Sequence, residues 1–123
     1  MEENIKKPKP IKIGFIGDSR VGKTIIINCY FGQEFERDSI ATIGVIKSET
    51  KCKFKNNEER KVILWDTSGV ERCRAVVFSV LKTVQGIILI FDVTIRASFD
   101  NLDMWIKTAY EKINNPIFIY FIR

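Results

Sequence analysis

No apolar run in this 123-residue chain is long enough to cross a bilayer, and the opening "MEENIKKPKP" carries charge where a secretion signal needs an apolar core. These absences exclude a membrane-spanning helix and a leader peptide, so a cytoplasmic protein is expected. Cysteine is scarce as well: Cys29, Cys52 and Cys73 are odd in number and far apart. Such spacing builds neither a zinc site nor a disulfide framework and points to a reducing compartment. Glu2 stands where myristoylation needs glycine, and the chain closes at Arg123 with no cysteine to prenylate, so no lipid anchor is expected. Internal repeats and low-complexity stretches are missing too. The lysine runs lack interleaved aromatics and any nucleic-acid-binding motif, so no nucleic acid is expected as a partner.

What is present fits one soluble domain. Apolar residues at 46% and charged residues at 28% exclude a mainly disordered chain, and the length leaves room for a single core. The net charge of +5 comes partly from Lys6, Lys7, Lys9 and Lys12 and from Lys47, Lys51, Lys53 and Lys55. Solvated surface is the plain account of these runs.

Strand and helix patterns alternate along the chain. "IKIGFI" at 11–16 is a short strand ending at Gly17, and the following 22–31 places Ile25, Ile26, Cys29 and Tyr30 at helical spacing. Residues 44–55 put Ile46, Thr50, Cys52 and Phe54 on one face and Lys47, Glu49, Lys51, Lys53 and Lys55 on the other. A lysine-lined face suits an edge strand, where charge discourages further pairing. Asn56 and Asn57 open a turn into "KVILWD" at 61–66, so these two runs predict a hairpin. "GIILIFDV" at 86–93 and "PIFIYFI" at 116–122 are continuously apolar, as strands covered on both faces must be. Helices are expected at about 72–83 and 98–113, with Ser98 as the N-cap of the second. The fold class is therefore α/β: a mostly parallel sheet with one antiparallel hairpin and helices on both faces, a three-layer arrangement.

"GDSRVGKT", Gly17 to Thr24, carries the chemistry. A GxxxxGK[ST] loop needs Gly17 and Gly22 so that backbone can wrap closely around phosphate oxygens, with N–H groups and a helix N-terminus turned toward negative charge. Lys23 would reach the β- and γ-phosphates, and the Thr24 hydroxyl would bind Mg²⁺. The strand before and the helix after supply the context this motif requires.

With "ATIGV", "WDTSGVER" and "IFDVT" following in order, the chain resembles the Ras superfamily of small GTPases, and specifically its Rab branch, from about Lys9 to Ile122. The resemblance implies a phosphate-loop NTPase G domain over 10–123 behind a basic extension at 1–9. It assigns Gly17, Asp18, Ser19, Arg20, Val21, Gly22, Lys23, Thr24 and Ile25 to the nucleotide. It implies that Thr42 is the switch I threonine contacting Mg²⁺ and γ-phosphate, that Asp66 holds Mg²⁺ through water, and that the Gly69 N–H meets the γ-phosphate. Phe35 falls where the family stacks an aromatic ring beside guanine. Taken alone, Phe35 is a core or loop aromatic, Asp66 a strand-end turn former, and Trp65 a core or partner-facing hydrophobe.

Four departures qualify the resemblance. Val70 replaces the glutamine that orients the attacking water, and an isopropyl group neither donates nor accepts a hydrogen bond, so intrinsic hydrolysis is expected to be weak and no catalytic residue is assigned. Arg20 replaces a small residue in the loop, either pointing to solvent or neutralising phosphate. Lys47, Cys73, Val80 and Leu81 stand where Rab members carry aromatics, so an altered effector surface is expected. The chain stops at Arg123, where the NKxD motif that reads guanine would begin. A C-terminally truncated domain of marginal stability is expected, with its last strand an uncovered edge and without the main sequence basis for GTP over ATP. The functional expectation is a Mg²⁺-dependent GTP/GDP switch in vesicle trafficking, with effectors and regulators meeting the segments near Thr42 and Gly69. A slow GTPase completed by an activating protein, or a pseudo-GTPase interaction module with little nucleotide binding, are the alternatives.

Overall fold

A computed structural model describes residues 9–32, 44–69, 74–112 and 118–122. The strand-loop-helix start of the sequence becomes β1 (Ile11–Ile16) and α1 (Lys23–Tyr30). The hairpin is β2 (Val45–Lys53) and β3 (Glu59–Thr67); α2 (Arg74–Leu81), β4 (Gly86–Ile90), α3 (Arg96–Asp100), α4 (Leu102–Lys112) and β5 (Phe118–Ile122) follow. The five strands form one sheet in the order β2-β3-β1-β4-β5. Only the β2/β3 pair is antiparallel; β1/β3, β1/β4 and β4/β5 run parallel. This is the expected mostly parallel sheet with one hairpin.

Alternation along each strand sorts the core onto two faces. Phe15, Val62, Leu64 and Ile90 pack with Ile27 of α1 on one face. Ile16, Ile87 and Leu89 pack with Val77 and Leu81 of α2 and Leu102 and Trp105 of the α4 region on the other. Full burial of each such aliphatic side chain is worth roughly 1.5–3 kcal/mol, so the two clusters supply most of the driving force for closing the sheet between its helices. Gly14 has a specific part in this: a Cβ added there would sit 2.8 Å from Leu81 Cδ2, so glycine lets α2 settle directly on β1.

β2 is the edge strand that the lysine stripe predicts. Its charged face is laced by Lys47–Glu49 and Lys61–Glu49 pairs, both 3.0 Å, and by Lys51–Glu59 at 3.7 Å. Asn57, with φ of 64°, takes the left-handed turn position, and the Phe54 N–H closes the turn on the Glu58 carbonyl at 2.8 Å.

Three local expectations are corrected. On α1 the buried residues are Lys23 and Ile27; Cys29 and Tyr30 are exposed, and Ile25 and Ile26 half-buried. The helix begins inside the loop with Lys23 turned inward, and Ile27, one turn on, must share that face. The helix expected at 98–113 begins at Arg96 and is interrupted at Asn101, giving α3 and α4. Ser98 is not its N-cap, because it lies inside α3 with its hydroxyl spent on the preceding loop: Oγ accepts from the Asp92 N–H at 2.9 Å and faces the Ile95 carbonyl at 2.7 Å. Leu81, expected on an altered partner surface, is fully buried against Gly14. A side chain at the end of α2 facing β1 has no route to solvent. Val80 beside it is half-buried, Lys47 is exposed, and Cys73 lies outside the described residues.

Candidate functional site

The parallel strands β1 and β3 end side by side, with Phe15 opposite Asp66, and this register brings the two motif segments together. From β1 the backbone enters the loop at Gly17, whose φ of 148° disfavours a side chain and where a Cβ would collide with the Ile90 carbonyl of β4. It leaves at Gly22, φ 106°, which also serves as the N-cap of α1 without any side-chain cap. No acidic residue occupies the first turn of α1. Its first N–H groups therefore present unneutralised positive partial charge to the loop. Between the glycines, Arg20 holds a φ of 64° and is exposed, and Val21 is buried in the core under α1. A non-glycine residue in that region costs on the order of 1 kcal/mol or more.

Lys23 is only 5% exposed. Its ammonium donates to the Gly17 carbonyl at 2.8 Å and to the Asp18 carbonyl. Burial pushes the Lys23 pKa down to about 8, against the raising pull of Asp66 and then Asp18. Two carboxylates therefore leave the buried cation short of negative charge. Next to it, Thr24 Oγ1 donates to Asp66 Oδ2 at 2.5 Å, and Asp66 is itself buried. A hydroxyl and a carboxylate so placed are hard oxygen donors of the kind Mg²⁺ takes. Among the described residues no cluster of three or more His, Cys, Asp or Glu could hold a metal. The residues present fit a magnesium polyphosphate: an uncapped helix start, an under-neutralised buried lysine and a hydroxyl–carboxylate pair converge on one loop.

Beyond Asp66, Thr67 Oγ1 donates to the Phe15 carbonyl at 2.5 Å and the Ser68 N–H to the Gly44 carbonyl at 2.8 Å, fixing the exit of β3. Gly69 then lies against the loop. A Cβ there would collide with Ser19 N and the Asp18 carbonyl carbon. Only glycine permits this approach. The structure thus brings together Gly17, Asp18, Ser19, Gly22, Lys23, Thr24, Asp66 and Gly69. Ile25 is half-buried on α1, and Phe35, Thr42 and Val70 lie outside the described residues.

Two residues that the sequence did not single out belong to the same place. Asp18 Oδ1 accepts from Trp105 Nε1 at 2.8 Å, and Oδ2 from Asn101 Nδ2 at 2.7 Å. The partners are 87 and 83 positions away in sequence, and no local pattern announces such a contact.

A mostly parallel sheet whose first strand feeds a glycine loop and a helix, with an acid at the end of the neighbouring parallel strand, defines the phosphate-loop α/β class. The chain belongs to the Ras family, whose model matches residues 12–122, and to its Rab branch. It is 39% identical over 111 residues to the Ras-related protein RABA4d of Arabidopsis thaliana, covering 90% of this chain and 50% of that one. To the Ras-related protein SEC4 of Saccharomyces cerevisiae it is 38% identical over 105 residues, covering 85% and 48%. To the GTP-binding protein ypt3 of Schizosaccharomyces pombe it is 34% identical over 111 residues, covering 90% and 51%. The chain spans about half the length of the curated relatives it matches. Among the described residues no helix is long and apolar enough to cross a membrane.

Proposed function

We infer that this chain is a Rab-like small GTP-binding protein that acts as a Mg²⁺-dependent nucleotide switch in vesicle trafficking, with weak intrinsic hydrolysis. The observation that carries it is the pairing of a buried, under-neutralised Lys23 with the Thr24–Asp66 contact on one loop. Relatives named as Rab and GTP-binding proteins support the choice of guanine nucleotide.

In this reading residues 10–123 form the G-domain part and 1–9 a basic extension. Gly17, Asp18, Ser19, Arg20, Val21 and Gly22 wrap the phosphates with backbone N–H groups, and Ile25 continues the binding segment into α1. Lys23 turns its charge to the β- and γ-phosphates. Thr24 and Thr42 offer hydroxyl oxygens to Mg²⁺, and Asp66 holds it through water. The bound magnesium triphosphate supplies the γ-phosphate charge that separates the two states of the switch. Gly69, already against the loop, places its N–H where that charge is sensed, and Phe35 stacks beside the base. Val70 offers no polar atom to hold an attacking water, so the triphosphate state persists. Effectors and regulators meet the segments around Thr42 and Gly69.

Calorimetry with GDP and GTP, with and without Mg²⁺, tests the reading. Binding is expected to need Mg²⁺, and Lys23→Ala to weaken it by roughly 2–4 kcal/mol, as loss of a charge-assisted contact to buried phosphate would. Equal affinity of the two proteins would remove the phosphate loop from the account. No Mg²⁺-dependent binding by the unaltered chain would put a pseudo-GTPase interaction module in its place.

A further inference from the structure

Asp18 is held at both ends. Its carboxylate takes the buried Trp105 indole N–H on one oxygen, at 2.8 Å, and the Asn101 amide on the other, at 2.7 Å. Its backbone carbonyl, together with that of Gly17, receives the Lys23 ammonium. Gly69 presses on the same peptide. Trp105 is 1% exposed and is fixed by the core around it, so the anchor does not move with solvent. Hydrogen bonds to an ionised carboxylate are roughly twice as strong as neutral ones. Of the two anchors, the rigid indole sets direction and the exposed Asn101 closes the second oxygen.

The geometry points to Asp18 as a positioning residue: Asn101 and Trp105 hold its carboxylate so that its carbonyl, with that of Gly17, aims the Lys23 ammonium within the phosphate loop. This rests on the nucleotide reading for its functional consequence. Without the anchors the Asp18 peptide can rotate, and Lys23 loses one of the two carbonyls that fix it before phosphate arrives. Pre-organisation of this kind appears in how long a ligand stays bound. A carboxylate acting by charge alone would act on Lys23 whatever held it, and this gives the test its contrast.

The 123-residue chain is used throughout, with Trp105→Phe, Asn101→Ala, their double variant, Asp18→Ala, and the triple variant. Dissociation of a fluorescent GDP in Mg²⁺ is expected to be about tenfold faster in the double variant and in Asp18→Ala, with the triple variant no faster than Asp18→Ala. Asp18→Asn, which still accepts from Trp105 with the Asn101 amide turned over, is expected to restore most of the slow dissociation. In the ligand-free protein the NMR signal of the Lys23 side-chain terminus is expected to shift in the double variant. Unchanged dissociation and an unchanged Lys23 signal in the double variant overturn the proposal, even if thermal stability falls. So does a triple variant whose effect is the product of the separate ones, or an Asp18→Asn that behaves as Asp18→Ala. If Trp105→Phe fails to fold, the exposed Asn101→Ala carries the comparison. Absence of nucleotide binding by the unaltered chain defeats the functional reading instead, and the ligand-free Lys23 signal then decides this proposal alone.

Discussion

At the scale of single residues, Lys23 sets burial against charge, and the outcome is measurable as a pH dependence. Its pKa falls from 10.5 to about 8 on folding. Between about pH 8 and 10.5 the unfolded chain keeps a proton that the native chain has released, so unfolding takes up protons and native stability rises with pH. Below that window the penalty of holding the buried charge is fully present. The gain across the window is on the order of 3 kcal/mol. Urea denaturation of the ligand-free chain in chelator at pH 7.5 and 10 checks it, using the difference between the unaltered protein and Lys23→Ala so that other titrations cancel; a slope common to both would assign it elsewhere. On the proposed reading Val70 poses the complementary question, since a valine offers no polar atom to hold an attacking water. Val70→Gln is expected to raise single-turnover phosphate release by about tenfold or more, at least ~1.4 kcal/mol of barrier, at equal nucleotide occupancy. Equal rates at equal occupancy would show that positioning of water is not what the chain lacks.

At the scale of elements, what the sequence reveals depends on whether an element is fixed by its own residues or by distant ones. The phosphate loop was legible because glycine, lysine and threonine at fixed spacing answer a local demand, and β2 because alternating lysines mark an exposed face whatever packs behind it. Asn57 with its positive φ closed the hairpin where its sequence neighbours implied. The face of α1 and the start of α3 were not legible in the same way. One is set by the inward turn of Lys23, the other by the loop from Asp92 to Ile95. The anchors of Asp18 were beyond reach, because nothing near Trp105 or Asn101 specifies a carboxylate more than eighty positions earlier. Ser98 gives this scale its prediction. It is 1% exposed, and its hydroxyl satisfies the Asp92 N–H before the helix begins. Ser98→Ala takes away that donor's partner at a half-buried position and is expected to cost about 0.5–1.5 kcal/mol, read as a lowered denaturation midpoint with unchanged slope. A loss below ~0.5 kcal/mol would mean that the loop satisfies Asp92 some other way.

At the scale of the whole molecule, the sheet is held from both faces, and on one of them α2 rests on the central strand β1. Leu81 is fully buried and lies over Gly14, where a Cβ would come within 2.8 Å of its Cδ2. The pair therefore has one volume to share. Leu81→Ala opens a cavity and is expected to cost about 2–5 kcal/mol. Gly14→Ala overfills the same space, and about 1–3 kcal/mol is expected from the displaced leucine. In the double variant the new methyl group enters room the leucine has vacated. Its cost is then expected to fall short of the sum of the single costs by about 0.5–3 kcal/mol, the range for side chains in direct contact. Net stabilities of domains run to only ~5–15 kcal/mol, so each single change removes a large part of the total and the coupling is readable by equilibrium denaturation. Tryptophan fluorescence and far-ultraviolet circular dichroism should give coincident transitions, since α2, β1 and the Trp105 cluster share one core. Strict additivity would mean that α2 does not rest on β1 through this pair, and the close approach that Gly14 permits would lose its role in closing the sheet.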